Sequence, residues 1–376
     1  MAFEHYIRSG QKELRCGYTT GTCAALAASA AAKALLTGTV PETAGLMTAK
    51  GLQVDVFLAG GSISGDTARC SVLKDAGDDS DVTDGAEIAA EVRLTDVPGI
   101  MIDGGEGVGR VTKPGLDQPV GNAAINSKPR RYIAEAVQRV LDGHGYEGGA
   151  EVIVSVPEGR EIAKKTFNEG LGIIGGISIL GTSGIVEPMS EKALVDSIEL
   201  SVNQAAASSK RIIFTPGNYG ETYIKNNDIE RFGVPVVKCS NFIGDVLDMA
   251  VLKGFEHVLL IGHMGKFAKL AAGIMTTHSR YADGRREVFC ANAAICGASA
   301  DVCRELMKTT TSDACIEILE REGLRGPVLA SIIGKIQEHL DLRVKGALEV
   351  GALVFSNVYG TLGATDKAEK IMKEGS

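Results

Sequence analysis

Two hydrophobic rhythms divide this chain. Up to about residue 142, apolar and polar positions mostly alternate, and Gln53–Leu58, Ala68–Leu73, Ile88–Leu94 and Gly99–Asp103 each predict a half-buried strand. Cys23–Leu36 is crowded with alanine, which predicts a helix able to pack closely on every face, with Thr20 or Thr22 capping its first N–H groups. After Pro129, residues Ile133, Val137 and Leu141 form one stripe of a second helix. Asp142–Gly149 is rich in glycine and predicts a linker. Beyond it, strands alternate with helices. Glu151–Val156 and Ile177–Leu180 predict strands, and Leu194, Ile198 and Val202 mark a helix with Pro188 near its first turn. Then come strand Arg211–Thr215, helix Glu221–Phe232, strand Val234–Cys239, helix Ile243–Leu252, strand His257–Ile261 and helix Lys266–Met275. Ala291–Arg321 and Val328–Glu338 predict helices, and Ala352–Phe355 a last strand. The expectation is an α/β protein of two domains. Residues 1–148 would form a two-layer α+β domain, and residues 149–376 a Rossmann-like, doubly wound, mostly parallel sheet.

Composition narrows the function more than the fold. The 376 residues carry 39 Lys+Arg against 47 Asp+Glu, a formal charge of −8 without any basic run, which argues against a nucleic-acid partner. The apolar stretches are too short to span a bilayer, and Met1–His5 lacks the basic-then-apolar order of a leader, so a cytoplasmic location is expected. The eight cysteines contain no CxxC pair and predict free thiols in a reducing compartment, with no metal site. The acidic loop Asp78, Asp79, Asp81, Asp84 lacks the glycine and terminal glutamate of a calcium loop.

Ligands of open parallel sheets bind beyond the carboxyl ends of the strands. Four glycine-bearing loops are predicted there: Gly181-Thr182-Ser183-Gly184, Pro216–Gly220 following Thr215, Ser240–Asp245, and Gly262–Lys266. Each runs into a helix N-terminus, whose N–H groups can hold a carboxylate or cradle a nucleoside. Gly262–Arg280 is the densest segment chemically, with His263, Lys266, Lys269, His278 and Arg280 in one βα unit. Asp103–Gly109 matches a D-x-G-x-G-x-G string, but Arg110–Gly115 is unsuited to the helix that such a loop should open, so the run reads as a connection bringing Lys113, with Arg110, to a pocket. Lys128, Arg130 and Arg131 stand where a helix dipole does not favour cations, which suggests an anion nearby. There is no Ser-His-Asp elbow, HExxH helix or P-loop.

The motifs then resemble one family. Cys16-Gly17-Tyr18-Thr19-Thr20-Gly21-Thr22-Cys23-Ala24-Ala25, Asp81–Ile88 and Gly105–Leu116 are similar to signatures of the CbiD family, the cobalt-precorrin-5B C-1-methyltransferases. So are Ala124-Ile125-Asn126 with Pro129-Arg130, Gly175–Pro188 and Gly262–Ser279. The resemblance spans nearly the whole chain in order. Asp84, where the family often has histidine, and Ser127-Lys128, where it often has Pro-Val, depart from it.

That resemblance implies a cobalt-bearing tetrapyrrole as small-molecule substrate, S-adenosyl-L-methionine as methyl donor, and no metal held by the protein itself. It leaves homo-oligomerisation and transient contacts with neighbouring pathway enzymes open. The macrocycle's carboxylate arms call for cations and helix N-termini, so Lys113, Arg130, Lys266, Lys269 and Arg280, with the hydroxyls of Thr19, Thr20 and Thr22, are expected to bind substrate. Gly181, Thr182, Ser183, Gly184, Thr215, Gly217, Asn218, Asn241 and Asp245 are expected to receive the donor, and His263 or His278 to handle a ring proton. Two other readings compete: a nucleotide-dependent kinase or ligase acting on an acidic metabolite, and a tetrapyrrole carrier that binds the ring but no methyl donor.

Overall fold

A computed structural model of the protein describes residues 3–166 and 168–373; Met1 and Ala2, which open the segment tested for a leader, lie outside the described residues. The architecture is mixed α/β, and the chain divides into two compact units after Glu191.

The first unit is built on a five-stranded sheet of β1 (Gly60–Ser64), β2 (Thr67–Leu73), β3 (Glu87–Thr95), β4 (Gly99–Gly104) and β5 (Gly149–Ser155), in the order β1-β2-β3-β5-β4. β5 runs antiparallel to β3 and parallel to β4. Alternation is clear over the inner strands: Ala90, Val92, Val152 and Val154 are buried, whereas Glu91 and Arg93 face solvent. The buried face is covered by α1 (Thr20–Thr37) and α2 (Ser127–Gly143). Alanine fits α1 because this helix is buried all round from Thr20 to Ala28. Gly21 lets the two helices meet: a Cβ there would lie 3.0 Å from the Pro129 ring.

The boundary expected at residue 148 is therefore misplaced. The glycine-rich stretch before Glu151 is the turn from α2 into β5, which is an inner strand of the first unit's sheet. Ile177–Leu180 is likewise no sheet strand; Ile177 and Ile179 make single bridges to Val108 and Ile125. The segment runs back across the first unit, where Ile185–Val186 pairs with Gly17–Tyr18. Two hairpins were not anticipated as such, Tyr6–Ser9 with Lys12–Arg15, and Thr43–Met47 with Gln53–Phe57. In the run Asp103–Gly109 the glycines serve packing; a Cβ on Gly107 would lie 1.8 Å from the Val156 carbonyl oxygen.

The second unit carries β6 (Arg211–Thr215), β7 (Val236–Lys238), β8 (His257–His263), β9 (Glu349–Ser356) and β10 (Gly360–Ala364). The order is β7-β6-β8-β9-β10, with the first four parallel and β10 antiparallel at the edge. Helices cover both faces. Ile212, Phe214, Val258, Leu260 and Val354 pack with α3 (Glu191–Ser208), α5 (Ile243–Leu252), α6 (Met264–Leu270) and the long α10 (Arg325–Val344). Ile213, Leu259, Ile261 and Phe355 pack on the other side with α4 (Asn218–Asn226) and α11 (Asp366–Lys373). The near-continuous apolar strands follow from burial on both faces.

The helix expected over Glu221–Phe232 starts earlier and breaks at Asp228 (φ 54°), and the one expected to reach Met275 stops at Leu270. Ala291–Arg321 proves to be three helices, α7 (Arg285–Ile295), α8 (Ala300–Leu306) and α9 (Ser312–Arg321), interrupted at Gly297 (φ 91°) and again before the Thr311 cap. Among the described residues, no helix is long and apolar enough to cross a membrane, and no group of three or more His, Cys, Asp or Glu could hold a metal ion.

The close packing of α1 yields a test. Ala28→Leu adds a branched side chain at a fully buried position and should cost about 1–3 kcal/mol, read as a lower midpoint in urea denaturation.

Candidate functional site

The order β7-β6-β8 fixes where a crevice can open. β6 and β8 are parallel neighbours, yet the chain leaves β6 toward α4 on one face and leaves β8 toward α6 on the other. Their carboxyl ends are a topological switch point. Around it stand Thr215, Pro216, Gly217, Asn218 and Tyr219 from the first exit, and His263, Gly265 and Lys266 from the second.

Several groups bridge the switch point. Lys266 Nζ donates to the Pro216 carbonyl at 3.3 Å, and burial lowers its pKa, only partly opposed by the nearby Cys239. Tyr219, 68% exposed, lies with its ring centroid 6.2 Å from that of His263. The His263 ring meets Phe355 edge-on at 5.7 Å, and Phe355 stacks on Tyr223 at 4.3 Å. In a chain with 5% aromatic residues and no Trp, this is a concentrated run of rings. Thr215 Oγ1 is buried without a hydrogen-bond partner. Asp245, in the first turn of α5, is half-buried and takes part in no ion pair among the described residues.

His263 is the N-cap of α6: its Nδ1 accepts from the Gly265 N–H at 3.0 Å. That bond leaves Nε2 to carry the proton in the neutral ring. Burial lowers its pKa from the ordinary 6.5, with the Asp313 carboxylate acting in the opposite direction. The geometry therefore makes His263 a hydrogen-bond donor at neutral pH and not a ready base. His278 is exposed in the loop after α6, where its Nδ1 accepts from the Arg280 N–H at 3.0 Å.

Other expected residues are engaged elsewhere. Gly181–Gly184 lies in the first unit and not at a strand tip of the second. There it closes over the start of α1: Thr22 Oγ1 donates to the Gly184 carbonyl (2.7 Å), Thr20 Oγ1 to the Leu180 carbonyl (3.2 Å) and the Gly21 N–H to the same oxygen (3.1 Å). Thr182 accepts through its carbonyl from the Tyr132 hydroxyl at 2.6 Å, and Ser183 Oγ donates to the Ile185 carbonyl. Gly181 sits at φ 133° against the Thr19 side chain, which excludes any larger residue. Thr19 is the cap of α1, not Thr20 or Thr22. All three threonines are buried with their hydroxyls bonded, so this structure engages them in shape and not in ligand binding.

The cations divide in the same way. Arg130 donates to the carbonyls of Ile125 (2.9 Å), Ile102 (2.6 Å) and Ala123 (3.4 Å), closing the first unit around α2. Lys269 is 3% exposed and donates to the carbonyls of Thr277 (3.0 Å) and Ala282 (2.8 Å), so it shapes the loop after α6; burial lowers its pKa. Lys113 is exposed, with its stem over Gly172 and Nζ at 3.2 Å from the Gly170 carbonyl. Arg280 is exposed and joins no ion pair among the described residues. Asn218 accepts from Lys238 at 3.0 Å, and Asn241 holds Thr277 through both its backbone and side-chain oxygens. The acidic loop is internally satisfied: Asp81 pairs with the buried Lys74 at 2.8 Å, and Asp84 accepts from the Ala76 N–H.

Tyr219, Phe355, Asp313 and Ser356 were missed by sequence reasoning. Tyr219 lay inside an anticipated loop, unremarked, and Phe355 ended an anticipated strand. Asp313, which accepts from the Ser356 hydroxyl at 2.8 Å, carries no local signal, because its relation to His263 exists only in the folded unit.

The electrostatics of His263 give a measurable expectation. Its imidazole should titrate below pH 6.5 by NMR, and Asp313→Asn should lower the midpoint further, since the carboxylate favours the protonated ring. Because a lowered folded-state value means that protons bind preferentially to the unfolded chain, the stability contributed by His263 is present above pH 6.5 and declines as pH falls toward the folded-state value.

Comparison with known proteins completes the assignment of kinship. The model of the CbiD family matches residues 7–188, and that of the CbiD C-terminal domain matches residues 276–366. A cobalt-precorrin-5B C(1)-methyltransferase of Ruminiclostridium cellulolyticum is 45% identical over 99% of both chains. A protein of the same description from Alkaliphilus metalliredigens is 40% identical, covering 98% of this chain and 97% of its own. The crystal structure of a cobalamin biosynthesis protein (CbiD) from Archaeoglobus fulgidus is 32% identical and covers 75% of this chain and 87% of that one, with a TM-score of 0.39. On the family match and these near full-length identities, the chain belongs to the CbiD family.

Proposed function

We propose that this chain transfers a methyl group from S-adenosyl-L-methionine to C-1 of cobalt-precorrin-5B, within cobalamin biosynthesis. The observation that carries the reading is the 45% identity, over 99% of both chains, to a relative described by that reaction. The second unit is read as a Rossmann-like module, and its switch point as the seat of the donor.

The residues present suit such a molecule. An amino-acid carboxylate fits the start of α4, which has no side-chain cap, ribose hydroxyls fit Asp245, which has no ion pair among the described residues, and the buried unpartnered hydroxyl of Thr215 lies at the same strand tips. When bound, S-adenosyl-L-methionine supplies an electrophilic methyl group together with its own leaving group. The protein's share is orientation, which can lower a barrier by roughly 7–11 kcal/mol without a strong base. Of the cations expected to bind substrate, Lys266 and Arg280 are the two in the second unit that are not held by several backbone carbonyls, and Tyr219 offers an exposed ring face beside His263. His263 contributes an N–H that can steady charge developing on the macrocycle.

Incubating the purified protein with cobalt-precorrin-5B and methyl-labelled donor should place label at C-1, detected by mass analysis and NMR of the ring; unlabelled ring would end the reading. Asp245→Asn should raise the KM for the donor roughly 10-fold or more, the worth of one charged hydrogen-bond partner. Lys266→Ala should raise the KM for the macrocycle with the donor KM unchanged. Arg130→Met should instead lower the denaturation midpoint and leave both KM values near those of the parent, because its guanidinium holds backbone carbonyls.

A further inference from the structure

The eight cysteines fall into two populations. Cys16, Cys23, Cys70, Cys239 and Cys315 are buried, and burial pushes the Cys70 thiol up to about 11 and those of Cys23 and Cys239 up to about 12, which keeps them as inert thiols. Of the three that are only partly buried, Cys290 lies in α7, Cys296 is the residue that ends it and Cys303 lies in α8. Two of these face each other. Cys290 Sγ lies 3.7 Å from the Cys303 carbonyl oxygen, and Cys303 Sγ lies 4.0 Å from the Cys290 carbonyl oxygen. Reciprocal contacts of this length bring both side chains into the same gap between the helices. The gap opens to solvent as a depression bordered by Arg304, Met307 and Lys308. Arg304 is tied to Asp301 at 2.5 Å, whereas Lys308 enters no ion pair among the described residues, so a cation remains at the mouth.

We propose that Cys290 and Cys303 form a reactive dithiol that closes to a disulfide by exchange with small anionic disulfides, making the α7–α8 pair a site of reversible thiol oxidation. The electron balance is closed by the disulfide reagent itself. The Cys303 thiolate attacks one sulfur of R–S–S–R, forming a mixed disulfide and releasing one thiolate, RS⁻. The Cys290 thiol then loses its proton and attacks the Cys303 sulfur, which forms the internal S–S bond and expels the second RS⁻. The two thiolates take up the two protons given by the protein, and the two electrons pass from the cysteine pair to the reagent. Burial and the adjacent Cys303 raise the Cys290 pKa, so Cys290 is held protonated until the mixed disulfide forms, which suits it to the second step. A carboxylate on the reagent would meet Lys308 at the entrance.

Glutathione disulfide and the uncharged bis(2-hydroxyethyl) disulfide are the probes, applied to the full chain. Trypsin cuts after Arg286 and Arg304, so all three exposed cysteines fall in one peptide, and variants must assign the bond. After treatment of Cys296→Ser, this peptide should be two hydrogens lighter, with neither Cys290 nor Cys303 open to alkylation, and dithiothreitol should restore both. Cys290→Ser, with Cys296 also replaced, should stop at a glutathione adduct on Cys303. Glutathione disulfide should react faster than the uncharged probe, and Lys308→Gln should remove that advantage. Retention of both thiols in Cys296→Ser would overturn the proposal. So would a Cys290→Ser variant that still closes an internal disulfide through Cys296 as fast as the parent. Equal rates for the two probes would overturn its anionic part.

Discussion

The parallel pairing of Arg211–Thr215 with His257–His263 governs what the second unit can do. Two parallel neighbours end at the same edge of the sheet, and each must deliver its chain to a helix. Here the helices lie on opposite faces, since Ile224 of α4 belongs to one core and Met264 and Phe267 of α6 belong to the other. The two exits diverge from neighbouring strand ends, so a crevice can open there as a consequence of topology and not of any particular side chain. Sequence then decides what lines it. The chain places Lys266 across the divide to Pro216, sets His263 as the cap of the second exit and leaves the ring of Tyr219 in solvent.

How far the sequence could be read depended on the range of the interactions. Arg211–Thr215 and Ile243–Leu252 match expectation to the residue, because a β-branched run between polar residues and a contiguous helical stripe are local signals. Ile177–Gly184 failed because its pattern, an apolar run and then glycine with hydroxyls, is the same whether it ends a sheet strand or passes over another element. Its partners, Thr20 and Thr22, lie 160 and 162 residues away, and nothing local announces them. The misplaced boundary has a similar origin. A glycine-rich turn between helix and strand has the composition of a linker, and only the pairing of Glu151 and Ile153 with both β3 and β4 reveals that the chain stays in the same sheet.

The same distinction sorts the polar residues. A cation or hydroxyl in a motif is consistent with a ligand or with an orphan carbonyl, and sequence does not separate them. Arg130, Lys269 and the threonines of α1 turn out to satisfy carbonyls left unpaired by irregular backbone, as buried acceptors require. This explains why the run Gly17–Ala25 of this chain is so rich in Gly and Thr. In Gly17–Ala25 the helix must pass close to Pro129, and the chain that returns from Leu180 to Gly184 must be held by hydroxyls.

What remains near the switch point is a small set of groups whose protonation is balanced by burial. Burial lowers the pKa of both Lys266 and His263, and in each case a neighbouring group acts in the opposite direction, Cys239 for the lysine and Asp313 for the histidine. A half-buried lysine bonded to a carbonyl, with no ion pair among the described residues, is a cation without a counter-charge, at a cost that an arriving carboxylate would offset. Binding an acid-bearing molecule would therefore stabilise the charged lysine and be strengthened by it, by the linkage that couples any proton and ligand. The charge of an exposed lysine such as Lys113 is already solvated by water. Physical chemistry thus favours Lys266 over the more numerous surface cations as the place where recognition of a polyanionic ring and the chemistry of the strand tips converge.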